Sequence, residues 1–417
     1  GYAATDLYKV DRRFGSNELY KELVDAVHDR GMKVIMDMIH NHIGDQHWWM
    51  KDLPTKDWVH DFEEYGQTNY RGVIVGDPYA SESDMDRLVK GWFVKEMPDL
   101  DQRNDLLADY LIQNTIWWIE YSGIDGIRMD TYVFPYKDYM ARWAKEVLEA
   151  YPDFNIVGES WVENVIAESF WQYDEPGVED GYDSHLPSVT DFPFSFAARD
   201  ALNEGFGWNN GLTKLFYVFN QDMVYADPMK NVIFLDNHDM SRIYEHLGKN
   251  EAHFKMLYPF LLTARGIPVV YYGTELMMGH QNRGGDDEAW RQTMPGGWPD
   301  DSRSVFTEEG RTEKENEIME WVSDWGKWRL GSPAAQYGEL LHFVPYDGVY
   351  VYFRIHEEQT LMIVMNSNEG SVTMDADRYQ EVLKNFSTGM DMISGNDVDV
   401  TNDFSVSGKT TAVFELR

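Results

Sequence analysis

The chain has 417 residues, 43% of them hydrophobic and 15% aromatic, enough for two to three domains with large cores, which excludes a peptide-like module or a globally disordered chain. Asp and Glu number 72 against 36 Lys and Arg, a formal net charge of −36 whose field repels phosphodiester backbones, so nucleic acid is not an expected partner. The absence of cysteine removes disulfides, thiolate nucleophiles and Cys-based zinc sites. No apolar run reaches the roughly 18 residues that a bilayer crossing needs, so no membrane association is expected.

From residue 16 to about 273 amphipathic helical patterns alternate with short apolar runs that end in polar residues, the grammar of βα units feeding a parallel sheet. Ser16 is a candidate N-cap, Leu19, Leu23 and Val27 repeat at helical spacing, and Gly31 stops the helix before a buried strand, 34–37, that ends at Asp37. Leu107, Leu111 and Trp118, stopped by Gly123, predict a helix before a strand over 126–130. A helix over 139–150 then precedes a strand over 155–159. Strands over 231–236 and 267–272 flank an apolar helix over 254–264, which makes five strands in all.

Residues 43–103 interrupt the alternation with aromatics set among Gly, Pro and Asp, and predict an inserted subdomain. Its tryptophans serve equally well as its own core or as sugar platforms. Beyond Gly331-Ser332-Pro333 the pattern changes to period-two runs such as 349–353 and 361–364, which predict an antiparallel β domain over 334–417.

Side chains at the C-terminal ends of parallel strands converge on one face, where chemistry is done. Here those ends offer Asp37 with Asn41 and His42, Arg128 with Asp130, Glu159, and Asp236 with His238 and Asp239. One acid at a strand end is an ordinary helix cap. Four strands ending this way, with one Arg among them, can separate carboxyl pKa values so that one group is ionised while another holds a proton. That is equipment for cleaving a polarised C–O bond. Zinc is the weaker reading of His40-Asn41-His42, because alternate residues of a strand point to opposite faces.

In order and spacing, Asp37-Met38-Ile39-His40-Asn41-His42, Gly126-Ile127-Arg128-Met129-Asp130, Gly158-Glu159-Ser160-Trp161, Phe234 to Asp239 and Gly266 to Glu275 resemble the successive strand motifs of the α-amylase family of retaining α-glycosidases. Met97-Pro98-Asp99-Leu100-Asp101 brings the resemblance closest to the neopullulanase and cyclomaltodextrinase group. The resemblance implies Asp130 as nucleophile, Glu159 as general acid/base and Asp239 as a third carboxylate supporting the transition state. It further implies His42 and His238 as sugar-hydroxyl contacts, Tyr2 as a stacking aromatic, and Asp287 with Arg291 as a grip on the next sugar. Arg128 faces the same side as Asp130 and keeps it ionised, and Trp161 is the better sugar platform because it follows Glu159 so closely. No cofactor is required by this reading. In many relatives the positions of Asn41 and Asp101 ligate calcium, an ion suited to hard oxygen donors. Where the family pattern has a Lys-His pair after the nucleophile, this chain has Val133-Phe134, which argues against a long-chain endo-amylase.

The implied fold is an α/β (β/α)8 TIM-type barrel over 1–42 and 104–333, with its first two strands upstream of this chain, the inserted subdomain over 43–103 and a C-terminal antiparallel β-sandwich over 334–417. The implied activity is retaining hydrolysis of α-1,4-glucosidic bonds in cyclodextrins, pullulan, starch or maltooligosaccharides. Glucosyl transfer or isomerisation on the same scaffold is the alternative, and a catalytically silent carbohydrate-binding relative is disfavoured because all three carboxylates are present. An upstream N-terminal domain, where relatives carry one, makes a homodimer an expectation. A periplasmic or secreted setting is expected for an acidic Cys-free hydrolase, with the cytoplasm as the alternative.

Overall fold

Ser16 Oγ accepts a hydrogen bond from the Leu19 N–H and starts the first helix, Asn17–His28. Its buried stripe differs from the expected one. Leu19 and Leu23 are 52% and 54% exposed, whereas Val24 is fully buried and Tyr20 packs edge-on against Trp118. The inward face therefore follows Tyr20 and Val24, one position along from the leucines, because the aromatic contact with the helix Asp105–Ser122 sets the rotation. That second helix follows its prediction. Asn104 caps it, Leu107, Leu111 and Trp118 are buried, and Gly123 closes it in the left-handed conformation, φ 74°, that glycine adopts without a Cβ penalty. Burial of each such leucine contributes about 1.5–3 kcal/mol.

The computed structural model describes residues 1–173, 181–280 and 289–417, and they form two compact units, residues 1–193 with 223–232, and residues 194–222 with 233–417. In the first unit β1 (Ile35–Ile39), β2 (Gly126–Asp130), β3 (Asn155–Gly158) and β4 (Ser188–Val189) form one parallel sheet in that order. A parallel bridge joins Thr190 to Val232 beyond β4. β1 runs two residues past the predicted end, so Asp37 is a mid-strand residue paired in register with Arg128. β1 is also less buried than a central strand, with Ile35 54% exposed. β4 has two residues and too little sequence pattern to have been predicted.

The segment 43–103 lies wholly in the first unit and holds the helix Glu82–Lys90 and several single-turn helices. Trp49 and Trp58 are buried against one another, 5.2 Å between ring centroids, and Trp92 donates through its indole N–H to the His60 carbonyl. These three serve the segment's own core, and only Trp48 is half-exposed.

In the second unit β5 (Val232–Phe234), whose first residue belongs to the first unit, pairs with β6 (Ile267–Val269), and the helix Glu251–Thr263 joins the long helix Glu313–Leu330 in an apolar core. The C-terminal part has β7 (Glu339–His342), β8 (Val349–His356), β9 (Gln359–Asn366), β10 (Val372–Met374), β11 (Thr388–Asp391), β12 (Asp397–Asp399), β13 (Phe404–Val406) and β14 (Thr410–Leu416). They make a six-stranded antiparallel sheet, β12-β11-β14-β9-β8-β7, and a two-stranded sheet, β10-β13. Val351, Phe353, Met362 and Val364 face one core, with Met374, Phe404 and Val406 of β10-β13, while Tyr350, Tyr352, Leu361 and Ile363 face the other. The six-stranded sheet is thus buried on both faces. That is why its central strands are continuous apolar runs rather than the polar–apolar alternation of a half-solvated sheet.

Candidate active site

Alternation along β2 places Arg128 and Asp130 on one face and buries Ile127 and Met129 on the other. The register β1–β2–β3 brings Asp37 beside Arg128, and the Glu159 backbone, hydrogen-bonded from its N–H to the Met129 carbonyl at 2.9 Å, carries the next acid to the same edge. Gly158 is required there, since a Cβ would lie 2.7 Å from the Tyr132 ring and 2.8 Å from Leu186.

One guanidinium organises three carboxylates. Arg128 Nη1 lies 2.8 and 2.9 Å from the two Asp37 oxygens and 2.7 Å from Asp130 Oδ1, and its Nη2 lies 2.6 Å from Glu159 Oε1. The other Glu159 oxygen, Oε2, accepts from the Thr131 N–H at 2.9 Å. Asp130 and Glu159 are both buried, whereas Asp37 is part-exposed. Burial, and then the charge of Glu159, push the Asp130 carboxyl well above its ordinary range, and Arg128 opposes them. Two acids on one cation titrate as a unit, and the second proton leaves less readily than the first. Such a pair supplies a nucleophile together with a proton donor, provided the acids are close, as retaining glycosidases require at about 5–5.5 Å.

Tyr2 joins this group. Its hydroxyl donates to Asp37 Oδ2 at 3.0 Å, and the Arg128 guanidinium lies 5.9 Å from its ring centroid. Burial and the Asp37 carboxylate raise the phenol above its ordinary value, so it remains a donor. His42 stacks on Phe93 and is 1% exposed, and burial lowers it to about 4, so it is a neutral imidazole. Phe134 is buried and meets Phe93 and Tyr70 edge-on, giving the Val133-Phe134 position an aromatic setting. Trp161 stacks one face on Phe192 at 4.6 Å and is 38% exposed.

In the second unit, Asp239 is held by His238 Nε2 at 3.1 Å and by the Arg291 guanidinium, while Arg291 Nε and the Trp290 indole N–H both donate to the His238 carbonyl, at 2.7 and 2.8 Å. Arg291 therefore grips Asp239 itself, a contact that its expected pairing with Asp287 does not include. Asp287 lies outside the described residues.

Of the two residues expected for calcium, Asn41 keeps a buried Oδ1 without a hydrogen-bond partner, whereas Asp101 has no oxygen to spare. Both Asp101 oxygens are engaged, Oδ1 by Arg103 Nε at 2.8 Å and Oδ2 by Arg103 Nη2 at 2.7 Å, with His60 Nε2 3.4 Å from Oδ2. Burial works against ionisation, but Arg103 and His60 hold the Asp101 carboxyl well below its usual range. On its other ring nitrogen, His60 binds the buried Asp99 at 2.6 Å. Arg103 and His60 thus occupy the Asp101 carboxylate, and among the described residues no group of three or more His, Asp or Glu is arranged to hold a metal.

Sequence reading missed the Thr131 N–H, the two-carboxylate reach of Arg128 beyond Asp130, and the buried pair Ser160–Glu168 behind Glu159. The β2–β3 register could have found the second. Backbone donors and a Glu on a five-residue helix leave no sequence signal.

Parallel strands presenting a clamped carboxylate pair define a glycosidase-type site on an α/β fold. The chain belongs to the α-amylase family: residues 1–326 match the α-amylase catalytic domain, and residues 340–415 match the cyclo-malto-dextrinase C-terminal domain. The maltogenic α-amylase of Bacillus acidopullulyticus is 25% identical over 97% of this chain and 64% of its own length. The cyclomaltodextrinase of Geobacillus thermopakistaniensis is 27% identical over 93% and 60%. The chain thus spans less than two thirds of these relatives. The crystal structure of the α-amylase from Geobacillus thermoleovorans complexed with acarbose superposes over 100% of this chain and 84% of that one, with a TM-score of 0.80 and 27% identity. The fold is the family's TIM barrel with a C-terminal antiparallel β domain. Among the described residues no helix is long and apolar enough to cross a membrane.

Proposed function

We propose that this chain hydrolyses α-1,4-glucosidic bonds with retention of anomeric configuration, acting on cyclodextrins, pullulan or maltooligosaccharides. The observation that carries the reading is the Arg128 guanidinium, bonded to Asp130 at 2.7 Å and to Glu159 at 2.6 Å. Asp130 attacks the anomeric carbon while Glu159 gives its proton to the departing glycosidic oxygen. The C–O bond to the leaving sugar breaks, and an ester bond forms between the glucosyl carbon and Asp130. Glu159, now ionised, removes a proton from water, which attacks the same carbon and releases Asp130. In the second unit, Asp239, held by Arg291 and His238, is the residue to which the family resemblance gives the part of third carboxylate. Tyr2 and the open face of Trp161 supply aromatic surface for sugar rings.

Support for the cyclodextrin and pullulan preference comes from the C-terminal domain match and from Val133-Phe134, whose buried aromatic stands where a hydrogen-bonding pair would otherwise greet a leaving-side sugar. The test is product chromatography with the full-length protein on γ-cyclodextrin, pullulan and soluble starch, with Asp130→Asn as the control. Faster opening of the cyclodextrin, with panose from pullulan, is the expected result. Starch cleaved fastest with pullulan untouched contradicts the substrate assignment. Sugar-acceptor products outnumbering hydrolysis products contradict the assignment of water as acceptor.

A further inference from the structure

Next to Glu159 lies a buried polar pair. Ser160, the next residue, is fully buried, and its Oγ donates to Oε1 of Glu168, which is also fully buried on the short helix Val165–Ser169. Glu168 Oε2 is buried with no hydrogen-bond partner. Among the described residues no cation compensates this carboxyl. Burial drives it toward the protonated form, Ser160 opposes, and the nearby Asp191 adds a like charge. An apolar pair would fill the same space without the desolvation cost of a carboxyl and a hydroxyl, so the pair is best explained by what it holds.

What it holds is the peptide that follows Glu159. The Ser160 N–H donates to Thr190 Oγ1 at 3.0 Å, and the Thr190 N–H donates to the Gly158 carbonyl at 3.1 Å. On the Glu159 side, its N–H is tied to Met129 and its carbonyl accepts from the Tyr132 N–H at 3.1 Å. The Glu159 backbone is therefore tied to Met129 of β2 and to Tyr132, the Ser160 carbonyl accepts from the Val162 N–H at 2.8 Å, and the Ser160 hydroxyl adds the side-chain anchor of the downstream peptide. Arg128, Asp130 and the Thr131 N–H are among the groups that face the Glu159 carboxyl itself.

We propose that Ser160 and Glu168 act as a positioning pair that fixes the direction of the Glu159 carboxyl, and thereby its proton transfer to the leaving oxygen. The inference rests on the reading of Glu159 as the acid/base. A neutral carboxyl is the right partner, because it accepts from the serine without adding charge beside the acids that Arg128 balances. A shift of about 1 Å in a reacting group costs on the order of 100-fold in rate.

The experiment compares kcat/KM of the full-length protein on γ-cyclodextrin, whose leaving oxygen needs a proton, with kcat/KM on α-maltosyl fluoride, whose fluoride leaves without one. For Glu168→Leu and for Ser160→Ala, the smaller change should the first variant fail to fold, the cyclodextrin value is expected to fall about 10- to 100-fold and the fluoride value by less than about 3-fold. Glu168→Gln keeps a neutral acceptor and is expected to restore most of the cyclodextrin activity lost in Glu168→Leu. Parallel losses on both substrates, or no loss on either, overturn the positioning role. Glu159→Gln separates the two readings. If it shows the selective loss and the pair variants do not, only the positioning inference fails, and if Glu159→Gln lacks the selective loss, the acid/base reading fails with it.

Discussion

The Thr131 N–H reaches Glu159 Oε2 at 2.9 Å from a left-handed backbone conformation, φ 49°, that a β-branched residue rarely adopts. The donor is aimed at the acid by a strained turn immediately after Asp130, and strain of this kind costs roughly 1–3 kcal/mol and persists where the surroundings enforce it. Thr131→Gly relieves the strain while adding about 0.5–1 kcal/mol of unfolded-chain entropy. Urea titration of Thr131→Gly is expected to give an unfolding free energy within about 1 kcal/mol of the parent, despite the loss of a buried side chain. A loss beyond about 2 kcal/mol would show that the turn is not strained.

Removal of the shared cation has a defined sign. Arg128 is the group that pulls Asp130 down against burial and Glu159. In Arg128→Met the Asp130 carboxyl titrates higher, so the acidic limb of the kcat/KM profile moves toward higher pH, and the rate at the optimum falls by about 100-fold or more. A profile with an unmoved acidic limb would contradict the assignment of Asp130 as the group that must be ionised.

Acid stability is limited by buried histidine. Burial lowers His40 from its ordinary 6.5 to about 3, and the ring is bonded to the Tyr139 hydroxyl at 2.8 Å. A base depressed in the folded state stabilises the fold above its unfolded value and loses that contribution as pH falls, here from about 6.5 toward 3. The loss from this group is about 3 kcal/mol by pH 4. Stability measured between pH 7 and 4 is expected to fall more steeply for the parent than for His40→Gln, and equal slopes would refute the assignment.

The Arg103–Asp101–His60–Asp99 array predicts indifference to calcium. Thermal melting with excess chelator and with millimolar calcium is expected to agree within about 1 °C, since a carboxylate already held by Arg103 and His60 offers the ion no free oxygen. Arg103→Met leaves a nearly buried carboxylate without its main partner and is expected to cost about 1–3 kcal/mol. A calcium-dependent rise of several degrees would show that Asp101 gives up its arginine to the ion.

Much of this was legible in the sequence, and the reasons differ from element to element. The helix Asp105–Ser122 shows its cap, its apolar stripe and its terminal glycine because all three signals are local. The strands β1, β2, β3, β5 and β6 are short apolar runs, each preceded by a helical pattern or a turn, and that contrast marks them even where, as in β1 and β6, one side is exposed. β4 escaped because two residues carry no period. The rotation of the helix Asn17–His28 was off by one position, since Tyr20 rather than a leucine makes the decisive contact. At the site, the residue types and their facing followed from alternation along β2, but the sharing of Arg128 among Asp37, Asp130 and Glu159 depends on strand register, a non-local property. The occupation of Asp101 by Arg103 depends on a side-chain rotamer, on which the motif is silent.

The most direct test of the account is to trap the covalent intermediate. Glu159→Gln in the full-length protein forms the glycosyl ester from α-maltosyl fluoride but lacks the base that hydrolyses it, so the ester accumulates. Peptide mass spectrometry after acid quench is predicted to find one maltosyl group on the peptide containing Asp130, and none in Asp130→Asn. An adduct on another carboxylate, or fluoride turnover to the inverted anomer with no adduct at all, would contradict double displacement through Asp130.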